Sequence, residues 1–185
     1  MKAIKFIGIV LAGMMLVACQ PSKDKLIKEI TEKENALFSN NSPVPDKTKV
    51  TEMVELYKKF ADQHPKDSLA PVYLYKAANL LMNSEKNDDA ITLLDNIIKD
   101  YDNFGKIEEA YFLKAFIYDN NIKNINKART AYSDFLKKFP KSDLADDAQI
   151  SLDNLGKTPE QIIKEFELKM KLQADSATAA AEKKK

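Results

Sequence analysis

The chain has 185 residues, of which 44% are hydrophobic and 31% charged, with 29 basic against 28 acidic side chains. That length builds one domain with a real core and is too short for two ordinary ones, and the near-neutral balance lacks the basic excess of a nucleic-acid binder. One cysteine, Cys19, excludes an internal disulfide framework and a multi-cysteine metal site, a single histidine, His64, removes most histidine-based catalysis, and four glycines are too few and too scattered for a phosphate-cradling loop, which leaves helices as the expected fold.

Residues 1–18 read as a secretory signal. Lys2 and Lys5 precede an uncharged apolar run from Phe6 to Ala18, too short to span a bilayer. Leu16-Val17-Ala18-Cys19 resembles a bacterial lipobox, in which the cysteine becomes the first residue after cleavage and its sulfur takes a diacylglycerol. The resemblance implies lipidation at Cys19 and anchoring by several acyl chains, more than the two signals that stable attachment requires. Cleavage would remove Lys2 and Lys5, taking 29 basic residues to 27 against 28 acidic ones, a balance of −1.

Residues 19–25 are expected to be a polar tether, and residues 26–48 a helix and a loop. Leu26, Ile27, Ile30, Leu37 and Phe38 keep helical spacing, and the run from Ser39 to Asp46, with Pro43 and Pro45, is a loop by composition. The spacing predicts the next helix from about Lys49, with Val50, Met53, Val54, Tyr57, Phe60 and Ala61 on one face, ending before Pro65.

From here the chain repeats itself. Tyr57, Phe60, Pro65-Lys66 and Leu69-Ala70 recur 75 residues later as Tyr132, Phe135, Pro140-Lys141 and Leu144-Ala145, and Asp89 to Tyr101 forms an intermediate copy. The period is therefore about 37 residues, close to the roughly 34 of a helix–turn–helix repeat. Helices are predicted at about 70–83, 88–100, 107–120, 126–139 and 144–154. Gly156 suits a left-handed helix stop, and Thr158, Pro159 and Gln161 suit an N-cap, a first turn and a reciprocal capping partner. The last helix carries Ile162, Ile163, Phe166, Met170 and Leu172, and residues 173–185 are expected to be a flexible tail.

These repeats resemble tetratricopeptide repeats. Small residues stand where helices approach closely, at Ala78 and Ala115 in the first helices of their pairs and at Ala90 and Ala128 in the second. Large apolar residues follow at Leu94, Ile97, Tyr132 and Phe135. The resemblance implies an all-α fold over residues 49–172: a right-handed superhelix of antiparallel helix pairs, about three repeats with a C-terminal capping helix. The segment Phe139-Pro140-Lys141-Ser142-Asp143-Leu144-Ala145 resembles the inter-repeat segment of periplasmic bacterial tetratricopeptide proteins. Those include BamD-like lipoproteins of the β-barrel assembly machinery and the periplasmic partner of the Tol–Pal system.

The resemblance implies a concave groove lined by the first helix of each pair. Repeat register puts Tyr75 and Asn79, Phe112 and Phe116, and Ile150 and Asn154 on that side. Aromatic side chains there can anchor a peptide or partner helix, or pack on each other and on the N-terminal helix. Asp67-Ser68-Leu69 and Asp175-Ser176-Ala177 match a short O-glycosylation motif of Bacteroidota secreted proteins, with capping as the alternative for Ser68 and an unmodified tail for Ser176. Asp100 to Gly105 has the outline of a calcium loop, but Phe104 and Tyr111 occupy ligand positions, so a helix end is the reading there. The expected protein is thus a non-enzymatic, lipid-anchored scaffold without metal or cofactor. It would sit at the periplasmic face of the outer membrane and hold envelope proteins, including a β-barrel assembly complex. The alternative is a periplasmic or surface lipoprotein that binds a peptide or glycan in its groove.

Overall fold

A computed structural model describes residues 22–38 and 46–182, with side chains through Ser176. Residues 1–18 and Cys19, the loop at 39–45 and the end of the tail lie outside the described residues. The described chain is helical throughout, with no strand among the described residues. In order it forms α1 (Lys23–Phe38), α2 (Lys47–Gln63), α3 (Leu69–Asn83), α4 (Asn87–Asp100), α5 (Ile107–Phe116), a π turn (Ile117–Asn121), α6 (Ile125–Lys138), α7 (Ala145–Asn154) and α8 (Pro159–Glu182). From α1 to α7 each helix packs on the next, the signature of a stack built from neighbours only.

The repeat seen in sequence is a repeat in burial. Met53, Ala90 and Ala128 occupy one layer, Tyr57, Leu94 and Tyr132 the next, and Phe60, Ile97 and Phe135 a third, all effectively removed from solvent. Ala90 and Ala128 in the first layer let facing helices approach, Met53 fills the equivalent place with a larger side chain, and the large residues of the other layers fill the space between pairs. The turns repeat as well. His64, Tyr101 and Phe139 end α2, α4 and α6 with nearly the same backbone, φ −131, −136 and −127 with ψ 54, 56 and 58. Each donates its N–H to the carbonyl four residues back, on Phe60, Ile97 and Phe135. Three residues on, Asp67, Phe104 and Ser142 donate to those three capping residues. The pair α1–α2 therefore closes with the same turn as the two pairs that follow.

α1 is locked to the stack. Leu26, Ile30 and Leu37 are buried. Glu34 Oε1 accepts from the Tyr57 hydroxyl at 2.5 Å and from Lys76 Nζ at 2.7 Å. Lys33 pairs with Glu52 at 2.9 Å, and Lys23 pairs with Asp67. The core falls into two clusters, a large one from Leu26 to Ile117 and a smaller one around Ala115, Ala128, Tyr132, Phe135, Ala148 and Leu155.

Three features differ from the sequence expectation. The helix predicted through residue 120 stops at Phe116 and widens into the π turn, where Ile122 N–H reaches Ile117 O at 2.9 Å and Lys123 takes φ 58. α8 continues past Leu172 to Glu182, because Ala174 and the alanines beyond it carry high helix propensity. Ile163, Phe166, Met170 and Leu172 on α8 are all exposed, with Leu168 beside them. From Phe166 to Leu172 apolar residues alternate with Glu167, Lys169 and Lys171. At about 100° per residue that alternation puts Phe166 and Met170 on one face and Leu168 and Leu172 on the opposite one, so they form two short stripes instead of one.

The stop and start before α8 match the expectation. Gly156 has φ 77. Thr158 N–H donates to Gln161 Oε1 at 2.8 Å, and Gln161 N–H returns to Thr158 Oγ1 at 3.3 Å.

Candidate functional site

The groove residues sort into different environments. Tyr75, Phe112 and Ile150 hold equivalent places on α3, α5 and α7, yet only Ile150 is largely exposed, at 59%. Phe112 points inward, with its ring edge-to-face against Tyr132 at 5.9 Å and Phe135 at 5.8 Å. Phe116 sits at the end of α5 and is partly exposed. Ile150 and Asn154 line a shallow cleft of about 570 Å³ between α7 and the start of α8, with Asp153, Lys157, Ile162 and Phe166. Phe112 and Phe116 line neither this cleft nor the one at Tyr75.

The larger cleft, about 870 Å³, lies between the α2–α3 turn and the α4–α5 turn. Its floor is Pro71, Val72 and Tyr75, and its far wall is Tyr101 and Phe104. The Tyr75 and Phe104 rings are 6.0 Å apart, and Lys106 Nζ stands 5.7 Å over the Tyr75 ring. Burial pushes the Tyr75 phenol above its ordinary range. Asn79 Nδ2 donates back to the Tyr75 carbonyl at 2.8 Å, and its side chain also stands beside the Tyr75 phenol.

The middle turn is open because of one residue. Asp67, Phe104 and Ser142 are equivalent in the three turns. Asp67 Oδ1 accepts from Leu69 N–H at 2.9 Å, and Ser142 Oγ accepts from Leu144 N–H at 3.2 Å, each tying down the first turn of the next helix. Phe104 has no acceptor to offer and turns its ring onto Tyr75 instead. Sequence reasoning treated Asp100 to Gly105 only as a helix end and missed this wall. The signal was the aromatic residue standing in register with Asp67 and Ser142.

The remaining sequence candidates are placed as follows. Ser68 is exposed and makes no capping bond; Asp67 caps α3 in its place, correcting the capping alternative. Lys23 and the Leu69 amide hold the Asp67 carboxyl below its usual range. Ser176 is exposed on α8 and its hydroxyl donates to Gln173 O at 2.8 Å. Cys19 lies outside the described residues. His64 tilts against Phe60 at 5.1 Å at the end of α2. Tyr132 and Asp119, brought near each other by the π turn, are both shifted up by burial.

Residues 73–103 and 109–142 match the tetratricopeptide repeat family model, the two spans that hold α3–α4 and α5–α6. Both spans are similar to tetratricopeptide repeats. The chain is also 28% identical over 161 residues to "Outer membrane protein assembly factor BamD" of Rickettsia prowazekii (strain Madrid E). That alignment covers 83% of this chain and 63% of the relative, so the chain spans less than two thirds of that protein's length. The chain is therefore similar to tetratricopeptide repeats over these two spans and to BamD over most of its length.

Proposed function

We propose that this protein is a lipid-anchored periplasmic scaffold that holds other proteins during outer-membrane assembly. The observation that carries the reading is the likeness to an outer membrane protein assembly factor across most of the chain, on a stack of tetratricopeptide repeats. The stack supplies what such a task needs: a body held by repeated buried apolar layers, with an open cleft at Tyr75 and Phe104. Lipidation at Cys19 would hold that body at the membrane. Segments of envelope partners, including members of a β-barrel assembly complex, would dock on the exposed parts of the repeats. Tyr75, with Phe104 and Lys106 beside it, is the strongest contact candidate. Phe116, Ile150 and Asn154 follow; Phe112 contributes by packing.

The test is mild-crosslink affinity purification of the full chain from native membranes, comparing the parent with Tyr75→Ser and with Lys106→Glu. Recovery of a β-barrel assembly protein with the parent, reduced in the variants, supports the reading. Recovery of soluble peptides or glycans alone would move it to a ligand-binding lipoprotein.

A further inference from the structure

We infer that the edge of the stack carrying the α2–α3 turn faces the lipid headgroups, so that the Tyr75–Phe104 cleft opens at the membrane surface. The inference rests on the lipid-anchor reading of Cys19 and deepens it by stating which side of the molecule meets the bilayer. Three observations carry it.

The first is how short the link is. Only Gln20, Pro21 and Ser22 separate Cys19 from Lys23, the first residue of α1. Four Cα steps reach roughly 14 Å at full extension. The second is that α1 cannot swing at that end. Lys23 pairs with Asp67, whose carboxylate is also bound by the Leu69 amide, and Leu26 is fully buried one turn later. The lipid attachment point is thus tied within a short radius of the α2–α3 turn. The third is direction. Lys23 meets Asp67 just before α3, and Glu34 meets Lys76 within it, so α1 and α3 run the same way. Sixteen residues of α1 extend about 24 Å. The α3–α4 turn at Ser84 to Lys86 therefore lies at the opposite edge, well beyond the reach of the link.

The residues lining the cleft come from Pro65 to Ser68, from the first turns of α3 and from Asp100 to Lys106, all on the near edge.

The test uses the full lipidated chain in vesicles of phosphatidylethanolamine and phosphatidylglycerol. A photo-crosslinking p-benzoylphenylalanine replaces Lys66 at the near edge or Lys86 at the far edge, both exposed lysines. The expected result is about fivefold or more lipid adduct at position 66 over position 86, given a separation of roughly 24 Å. A flexible insertion of about ten residues after Gln20, adding roughly 17 Å of reach, should shrink that ratio toward one. Equal adducts at both positions in the parent, or more at 86, would overturn the orientation while leaving the anchor intact, provided the chain stays on the vesicles and Cys19→Ala releases it. A parent chain that washes off, or a Cys19→Ala chain that binds as the parent does, removes the anchor itself and the inference with it.

Discussion

Phe112 and Ile150 stand 38 residues apart at equivalent points of successive repeats, and the structure gives them opposite roles. Replacing each with Ala should separate those roles. Phe112 is mostly buried and contacts two fully buried rings, Tyr132 and Phe135, edge-to-face. A fully buried Phe→Ala costs roughly 3–5 kcal/mol. Partial exposure of Phe112 brings the transfer part to about 2 kcal/mol, and two edge-to-face pairs add roughly 0.5–1.5 kcal/mol each, though not additively. The sum is about 3 kcal/mol, or a loss of roughly 6–12 °C in Tm for a chain of this size. Ile150 is 59% exposed and has little transfer energy to lose, so Ile150→Ala should stay within about 0.5 kcal/mol. Urea melts followed by far-ultraviolet circular dichroism measure both. A Phe112→Ala cost below about 1 kcal/mol, or an Ile150→Ala cost equal to it, would show that the aromatic cluster does not hold α5 to α6 as argued. The same contrast decides how binding data are read. Lost partner capture in a Phe112 variant reports on folding, whereas the same loss in an Ile150 variant reports on contact.

Tyr57→Phe removes the 2.5 Å hydrogen bond to Glu34 and should lower stability by about 1–2 kcal/mol; an unchanged urea midpoint would mean that Lys76 alone holds Glu34. Asp67 has its carboxyl lowered by Lys23 and the Leu69 amide, so its contribution is full above the unfolded carboxylate value near about 3.9 and is lost as pH falls through the lower folded value. Lys23→Met should therefore flatten the acid limb of a midpoint-against-pH curve below about pH 4, and an unaltered limb would refute the pairing. Thr158→Ala breaks the reciprocal cap of α8 and should cost about 1 kcal/mol, read as faster amide exchange in the first turns of α8 with no change in α3 or α4.

What the sequence made legible was what recurs or is local. The layers at Met53, Ala90 and Ala128, then Tyr57, Leu94 and Tyr132, then Phe60, Ile97 and Phe135 were readable because each copy faces similar surroundings and so stays apolar and buried at the same spacing. The helix stop at Gly156 and the cap at Thr158 and Gln161 were readable because their chemistry involves neighbours in the chain. The tie between Glu34 and Lys76 was not, since 42 residues separate the partners and the chain offers many other carboxylates and ammonium groups. Nor did register alone distinguish Phe112 from Ile150. Burial there depends on what faces the helix: Phe112 meets Tyr132 and Phe135, while Ile150 meets only Ile162 and Phe166 of α8 across a shallow cleft. The cleft at Tyr75 escaped notice for a similar reason: the middle turn keeps the backbone of its neighbours while Phe104 exchanges a cap for a wall.

The two ends of the stack are built on different terms. At the first end α1 covers the repeat beside it with Leu26, Ile30 and Leu37, and ion pairs at Lys23, Lys33 and Glu34 fix its direction. At the other end α7 buries Ala148, and α8 leaves Phe166 63% exposed and is joined by the Lys157–Glu165 pair at 2.5 Å. In a solenoid each repeat is held by its neighbours, so stability should fall from the α2–α4 region toward α8 and not be shared evenly. That gradient suits the proposed arrangement. The firm end is the one a lipid at Cys19 would hold, which would keep the Tyr75–Phe104 cleft near the bilayer. A loosely held first pair would let the anchor flex and lose that placement, so the ion pairs at α1 bear on the position of the cleft as well as on the stability of the fold.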